Sequence, residues 1–151
     1  MVELRKIDKE NYSQCLALKV SDEQKSFVAS NVYSLAQAWV FYKTAFPFAI
    51  YADNIMVGFV MMGYYAEEQI YNIWRFMIDG RFQGKGYGKA ALQLSIDYLL
   101  KEFDVNEVFL SFEPSNVVAE KLYSSVGFKR TGEVSGGEMV MRLDAKKDYV
   151  N

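Results

Sequence analysis

The apolar and polar positions of this chain fall into short alternating runs, longer helical stripes and turn signals between them. Val2-Glu-Leu-Arg-Lys-Ile7 alternates in polarity and predicts a strand. Asp8 then caps a helix running through about Val20, and Ser21-Asp-Glu-Gln24 resembles a capping box that opens a short second helix, Asp22 to Ser30. Ser34 is read as the cap of a further helix, Leu35 to Thr44, which Pro47 closes. Phe48 to Ala52 and Ile55 to Tyr65 predict two strands joined by a tight turn at Asp53-Asn54. Ala66-Glu-Glu-Gln69 turns the chain into a third strand, Ile70 to Ile78. Three successive strands on short turns predict an antiparallel arrangement.

The second half reads differently. Helix Lys89 to Phe103 places Leu92, Ile96, Leu99 and Leu100 on one face. The strand Glu107 to Phe112 should lie parallel to the one before that helix, because the helix is the crossover between them. Pro114 breaks this strand, Ser115 caps a helix from Asn116 to Val126, and Gly127 is its left-handed stop. Phe128 to Val134 and Glu138 to Leu143 form a hairpin around Ser135-Gly-Gly137, and the polar tail Asp144 to Asn151 is expected to fray. The pattern shows no repeat, linker or low-complexity segment. It predicts one α/β (α+β) domain over residues 1–151, with a mixed, mostly antiparallel sheet of about seven strands flanked by helices.

The stretch that carries chemistry is Arg81-Phe-Gln-Gly-Lys-Gly-Tyr-Gly-Lys-Ala-Ala91, between a strand and a helix. Glycines at alternate positions, Gly84, Gly86 and Gly88, clear the loop of side chains. Backbone N–H groups can then converge at the start of a helix whose dipole favours an anion, and Lys85 and Lys89 add positive charge. This is a phosphate-binding loop. The P-loop pattern fails, because Ala90 follows Gly88-Lys89 and Gln83 stands where the first glycine belongs. The dinucleotide pattern is met loosely by Gly86, Gly88 and Ala91, but Glu113 lies further on than the usual ~20 residues. Gln/Arg-x-x-Gly-x-Gly/Ala is met fully by Gln83, Gly86 and Gly88.

Ile78 to Ala91 resembles the acetyl-CoA pyrophosphate loop of the GNAT family of N-acetyltransferases. A second block, Glu113-Pro-Ser-Asn116-Val-Val-Ala119-Glu-Lys-Leu-Tyr123-Ser-Ser-Val-Gly127-Phe128, resembles the family's Asn-x-x-Ala-x-x-x-Tyr…Gly-Phe segment. Element order and length match over nearly the whole chain. Within the family, Ser26 to Ala38 and Trp74 to Asp79 resemble the bacterial spermine/spermidine (diamine) acetyltransferase group. The resemblance implies a sheet splayed at its central parallel pair, with the acetyl-CoA arm wedged in the gap. It implies that Phe76, Met77 and Ile78 contact the arm through main chain, that Gln83 to Lys89 (Gln83, Gly84, Lys85, Gly86, Tyr87, Gly88, Lys89) hold the pyrophosphate, and that Asn116 bonds the pantetheine. Tyr123 matches the family tyrosine that protonates the departing sulfur. The general base stays open. Some polyamine acetyltransferases carry a glutamate where this chain has Trp74 followed by Arg75; Glu113, Glu67 or Glu68 could substitute, or a water relay could serve.

Composition narrows the acceptor only slightly. With no histidine and one cysteine, His-based triads, His or Cys-cluster metal sites and intrachain disulfides are excluded, so no metal is expected. Cys15 reads as a buried small apolar residue. A net charge of −2 leaves no electrostatic footprint for nucleic acid. No leader pattern and no run of ~18 apolar residues is present, so a cytoplasmic protein off the membrane is expected. The small-molecule partner is an amine, and the resemblance implies a homodimer. A polyamine calls for carboxylates and aromatic faces: Asp22, Glu23 and Glu68, with Tyr33, Trp39, Tyr64, Tyr65 and Trp74 as walls. The readings that remain open are acetylation of a polyamine, acetylation of another amine (an aminoglycoside, an amino acid or a protein N-terminus), and an acyl-CoA sensor without turnover.

Overall fold

The computed structural model describes residues 1–145. Seven strands form one sheet: β1 (Val2–Lys6), β2 (Ala45–Ala52), β3 (Ile55–Tyr65), β4 (Ile70–Ile78), β5 (Glu107–Phe112), β6 (Lys129–Ser135) and β7 (Glu138–Asp144). Their spatial order is β1-β2-β3-β4-β5-β7-β6, antiparallel throughout except for the parallel pair β4 and β5. Helices α1 (Tyr12–Ala17) and α2 (Asn31–Val40) cover one face, and α3 (Tyr87–Phe103) and α4 (Val117–Ser125) the other. The sheet is therefore buried on both sides. Phe59, Met61 and Met77 pack with Cys15 and Ala38 on the first face; Val60, Ile73 and Ile78 pack with Leu92, Ile96 and Leu99 on the second. Eight consecutive buried residues, Met56 to Gly63, make β3 the spine of this two-sided core.

Both predicted tight hairpins form. Asp53 and Asn54 carry φ of 49° and 68° between the paired residues Ala52 and Ile55, and Gly136 and Gly137 carry 57° and 83° between Ser135 and Glu138. These are the positive angles a two-residue turn needs to match strand twist. The stop after α4 is a Schellman motif. Phe128 N–H donates to the Tyr123 carbonyl and Gly127 N–H to that of Ser124, both at 3.1 Å, with Gly127 at φ 109°. The Phe128 ring meets the Tyr123 ring at 6.3 Å, which fixes Tyr123 from both its main chain and its side chain.

Several boundaries differ from the sequence reading. Helix α1 is only six residues long, because Asp8 Oδ1 accepts from Glu10 N–H and Asn11 N–H and holds the chain in a turn ahead of it. The expected helix from Asp22 to Ser30 is a single 3-10 turn, Asp22–Gln24. Helix α2 begins at Asn31, capped by Ser30, whose hydroxyl accepts from Tyr33 N–H, rather than by Ser34. Pro47 lies inside β2. The β1 ladder ends at Lys6 opposite Phe48, so no partner on that side requires the missing N–H. Helix α3 opens at Tyr87, two residues early, and α4 is capped by Asn116 in place of Ser115. Asp144 pairs with Glu107 and Ala145 is buried, so the expected fraying does not begin at Asp144; the rest of that segment, 146–151, lies outside the described residues. Cys15 is fully buried, and burial pushes its thiol up to about 11, as an inert core residue requires.

The cap after α4 yields a stability prediction. A side chain at the Gly127 backbone angle costs about 1–2 kcal/mol. Gly127→Ala should therefore lower the melting temperature by roughly 2–8 °C for a chain of this size. An unchanged melting curve would mean the positive-φ cap is not what ends α4.

Candidate functional site

The site begins with an irregularity in β4. Met61 pairs with Arg75 and Met62 with Ile73, so Trp74 is an extra residue, a bulge. Before it, Tyr71 and Ile73 face the core beneath α3; after it, Phe76 and Ile78 do. The bulge thus shifts the side-chain alternation by one. It also marks the place where β4 leaves β5. The parallel ladder consists of Tyr71 with Val108 and Asn72 with Phe109, and β5 pairs with no residue of β4 beyond Asn72.

From Ile73 to Ile78 one edge of β4 therefore faces a gap. Alternation decides which main-chain groups reach it. The Met77 carbonyl points at β3, where a Cβ on Gly58 would lie 2.4 Å from it. Phe76 and Ile78 consequently turn their N–H and C=O into the gap, and Met77 does not, a narrowing of the three-residue expectation. The Ile78 carbonyl is already taken: Gln83 Nε2 donates to it at 2.9 Å and to Gln24 Oε1 at 2.7 Å. This is the physical role of the glutamine in the loop motif. It ties the strand end to the 3-10 turn of the N-terminal segment.

Asp79 makes a second tie. Its buried carboxylate accepts from Arg81 Nε and N–H and from Lys19 N–H, and Gly80 N–H donates to the Lys19 carbonyl. Burial alone would raise its pKa, but these donors hold it below the ordinary carboxylate range. Gly84 and Gly86 follow at φ 77° and 83°, and a Cβ at either would meet no protein atom within 4 Å. Their bareness thus leaves room beside the main chain. Gly88 has a different reason: it lies in α3, where its missing Cβ lets Leu122 of α4 approach. The unpaired N–H groups of the first turn of α3 open on the same space.

Two cavities meet here. A narrow one of about 310 Å³ runs along Phe76, Met77 and Ile78 to Gln83, Gly84, Gly86, Tyr87, Gly88 and Lys89. A wide one of about 1010 Å³ lies between β4 and β5 and extends over the β6–β7 hairpin. Phe27, Val28, Phe76, Asn116 and Tyr123 line both. Tyr123 thus stands where the channel opens into the cleft. Burial, and then the Glu138 carboxylate, push its phenol up to about 12. Asn116 Oδ1 caps α4 by accepting from Ala119 N–H, leaving its NH2 as a donor.

The other expected residues scatter. Glu68 and Trp74 line the wide cleft. Glu113 does too, with its carboxylate held by Ser115 N–H at 2.9 Å and by the Ser115 hydroxyl. Lys85 is exposed, its Nζ 5.9 Å from the Phe82 ring. Asp22 and Glu23 are exposed and line neither cavity; Asp22 pairs with Lys25 at 2.7 Å. Tyr33 and Trp39 are exposed on α2 and also line neither. Residues the sequence reading passed over include Gln24, Phe27 and Val28, which close the channel, and Arg75, whose Nη2 donates to Gln37 Oε1 at 2.9 Å. The search for carboxylates to hold a polyamine drew attention to Asp22 and Glu23, which face water, rather than to Gln24 in the same turn.

The family model for the acetyltransferase (GNAT) family matches residues 3–128. The chain belongs to the GNAT family of acetyltransferases. Among similar proteins, the spermine/spermidine N(1)-acetyltransferase of Bacillus subtilis (strain 168) is 34% identical over 149 residues, covering 93% of this chain and 96% of that protein. A probable spermine N(1)-acetyltransferase of Bacillus subtilis subsp. natto is 33% identical over the same shares. Solved acetyltransferase structures share this fold. An aminoglycoside acetyltransferase in complex with coenzyme A superposes with a TM-score of 0.82 at 14% identity over the full length of both chains. A spermidine N-acetyltransferase chimera that includes Vibrio cholerae sequence gives 0.77 at 17% identity over 99% of both. The splayed parallel pair is thus the family's architecture, and this GNAT chain is an N-acetyltransferase of a family that uses acetyl-CoA.

Proposed function

We propose that the protein transfers an acetyl group from acetyl-CoA to a primary amine of a small polyamine such as spermidine or spermine, by direct attack in a ternary complex. The observation that carries the reaction type is Tyr123 at the mouth of the channel into the cleft. The near full-length similarity to a spermine/spermidine acetyltransferase supports the acceptor class. The bare loop at Gly84 and Gly86, the N-terminus of α3 and Lys89 suit a pyrophosphate, and the open Phe76 main chain and Ile78 N–H suit an amide-bearing arm. The NH2 of Asn116 is a further donor to that arm.

Acetyl transfer forms a C–N bond and breaks a C–S bond, so the amine must be neutral and the departing sulfur must receive a proton or its equivalent in hydrogen bonding. Tyr123 is the donor we assign to the sulfur. Because its phenol is raised to about 12, it remains protonated across the physiological range and above the ordinary tyrosine value of about 10. Glu113 is the carboxylate we assign to the amine proton, directly or through water; the two Ser115 donors fix its orientation at the cleft wall. The loop from Arg81 to Ala91 carries no serine, threonine or cysteine to serve as the nucleophile of an acyl-enzyme. The homodimer is a proposal supported by the apolar side chains that α2 and its end leave exposed, notably Trp39, Val40 and Tyr42.

One observation favours a second acceptor. Arg75 lines the wide cleft with a buried Nε that has no hydrogen-bond partner among the described residues. Such a group suits an acceptor carrying a carboxylate, as an amino acid does.

Tyr123→Phe keeps the ring and removes the proton. Turnover should fall by roughly 10²- to 10⁴-fold with acetyl-CoA affinity little changed. In the parent enzyme, kcat should show no loss from phenol ionisation until pH passes well above about 10. Full turnover by the phenylalanine variant, where chemistry limits the rate, would remove Tyr123 from the mechanism.

The acceptor is tested by an amine panel. Spermidine should exceed butylamine in kcat/KM, with the gap narrowing as salt screens the charges. Equal values at low salt would exclude a polyamine and, if a free amino acid turned over instead, would establish the Arg75 reading.

A further inference from the structure

Beside the wide cleft, at the β3–β4 turn, lies a third cavity of about 390 Å³ that the reaction described above does not use. Its walls are aromatic. Trp74 meets Phe41 edge-on at 5.8 Å and Tyr65 edge-on at 6.0 Å. Its rim is acidic, with Glu67 and Glu68 both exposed to solvent. Tyr65, Glu68 and Trp74 also line the wide cleft, so the two spaces share a wall. Glu67 and Phe41 line only the smaller one.

We propose that this turn pocket binds the non-reacting alkylammonium group of the acceptor. The proposal rests on the polyamine reading for its substrate and deepens it by locating the second charge. Aromatic faces attract alkylammonium groups, more strongly when water is partly excluded. The acids at the rim add attraction without requiring a buried ion pair.

The test uses tetramethylammonium, which cannot be acetylated, and the fluorescence of Trp74. The chain has two tryptophans, so Trp39→Phe leaves Trp74 as the sole reporter. At matched ionic strength, tetramethylammonium should change that fluorescence saturably. Adding Glu67→Gln or Phe41→Leu, each checked by its melting curve, should weaken the response roughly two- to fivefold, and Glu67→Gln should lower the ratio of spermidine to butylamine kcat/KM by a similar factor. No saturable change, or the same affinity in both variants, overturns the pocket even if spermidine remains the better substrate. A saturable, variant-sensitive response in an enzyme that shows no polyamine preference keeps the pocket as an alkylammonium site and overturns the polyamine reading alone.

Discussion

The whole arrangement depends on one departure from regular pairing, the Trp74 bulge. A strand in the middle of a sheet ordinarily has both edges satisfied, and β4 keeps both only as far as Asn72. Beyond that point the bulge turns the strand, β5 diverges, and the main chain of Phe76 and Ile78 is left to a channel instead of a neighbour. Unpaired strand edges are expensive when buried and adhesive when exposed. Here the edge lies at the bottom of a cleft, where a narrow ligand with amide groups can take the place of the absent strand. The channel, the wide cleft and the position of Tyr123 between them all follow from this divergence.

The polar ties around the loop serve the same gap. Gln83 caps the Ile78 carbonyl, which would otherwise be the last unpaired acceptor of the edge, and carries the connection to Gln24. Asp79 gathers Lys19 and Arg81 at the point where the strand becomes the loop. The N-terminal turn therefore closes one side of the channel through side-chain to main-chain bonds rather than through packing. The opposite wall is held by the Schellman cap, which couples Tyr123 to Phe128 and so to the core. Both sides of the channel are positioned by residues outside the sheet.

What could be read from the chain follows how local each signal is. Turns at Asp53-Asn54 and Gly136-Gly137 and the cap at Gly127 are set by residues adjacent in sequence, and each formed as read. The bulge carries no such signal, since Trp74 is an ordinary strand former and becomes surplus only against Met61 and Met62 of another strand. Pro47 was read as a helix stop because its tolerance in β2 depends on where β1 ends. The acceptor side suffered most. Asp22 and Glu23 have the right chemistry but face water, whereas Gln24 between that turn and the loop has the contacts. Phe41, Glu67 and Trp74 come together only through the meeting of the end of α2 with the β3–β4 turn.

The central claim is that a ligand arm occupies the edge that β5 abandons. Backbone hydrogen exchange of the protein with and without coenzyme A measures this directly. The account predicts that the Phe76 and Ile78 amides, which face the gap, slow by up to about a hundredfold at a ligand concentration about a hundred times Kd, alongside the amides from Gly84 to Lys89. Met77, already paired to β3, serves as the internal reference. Slowing confined to the loop, with Phe76 and Ile78 unchanged, would contradict it.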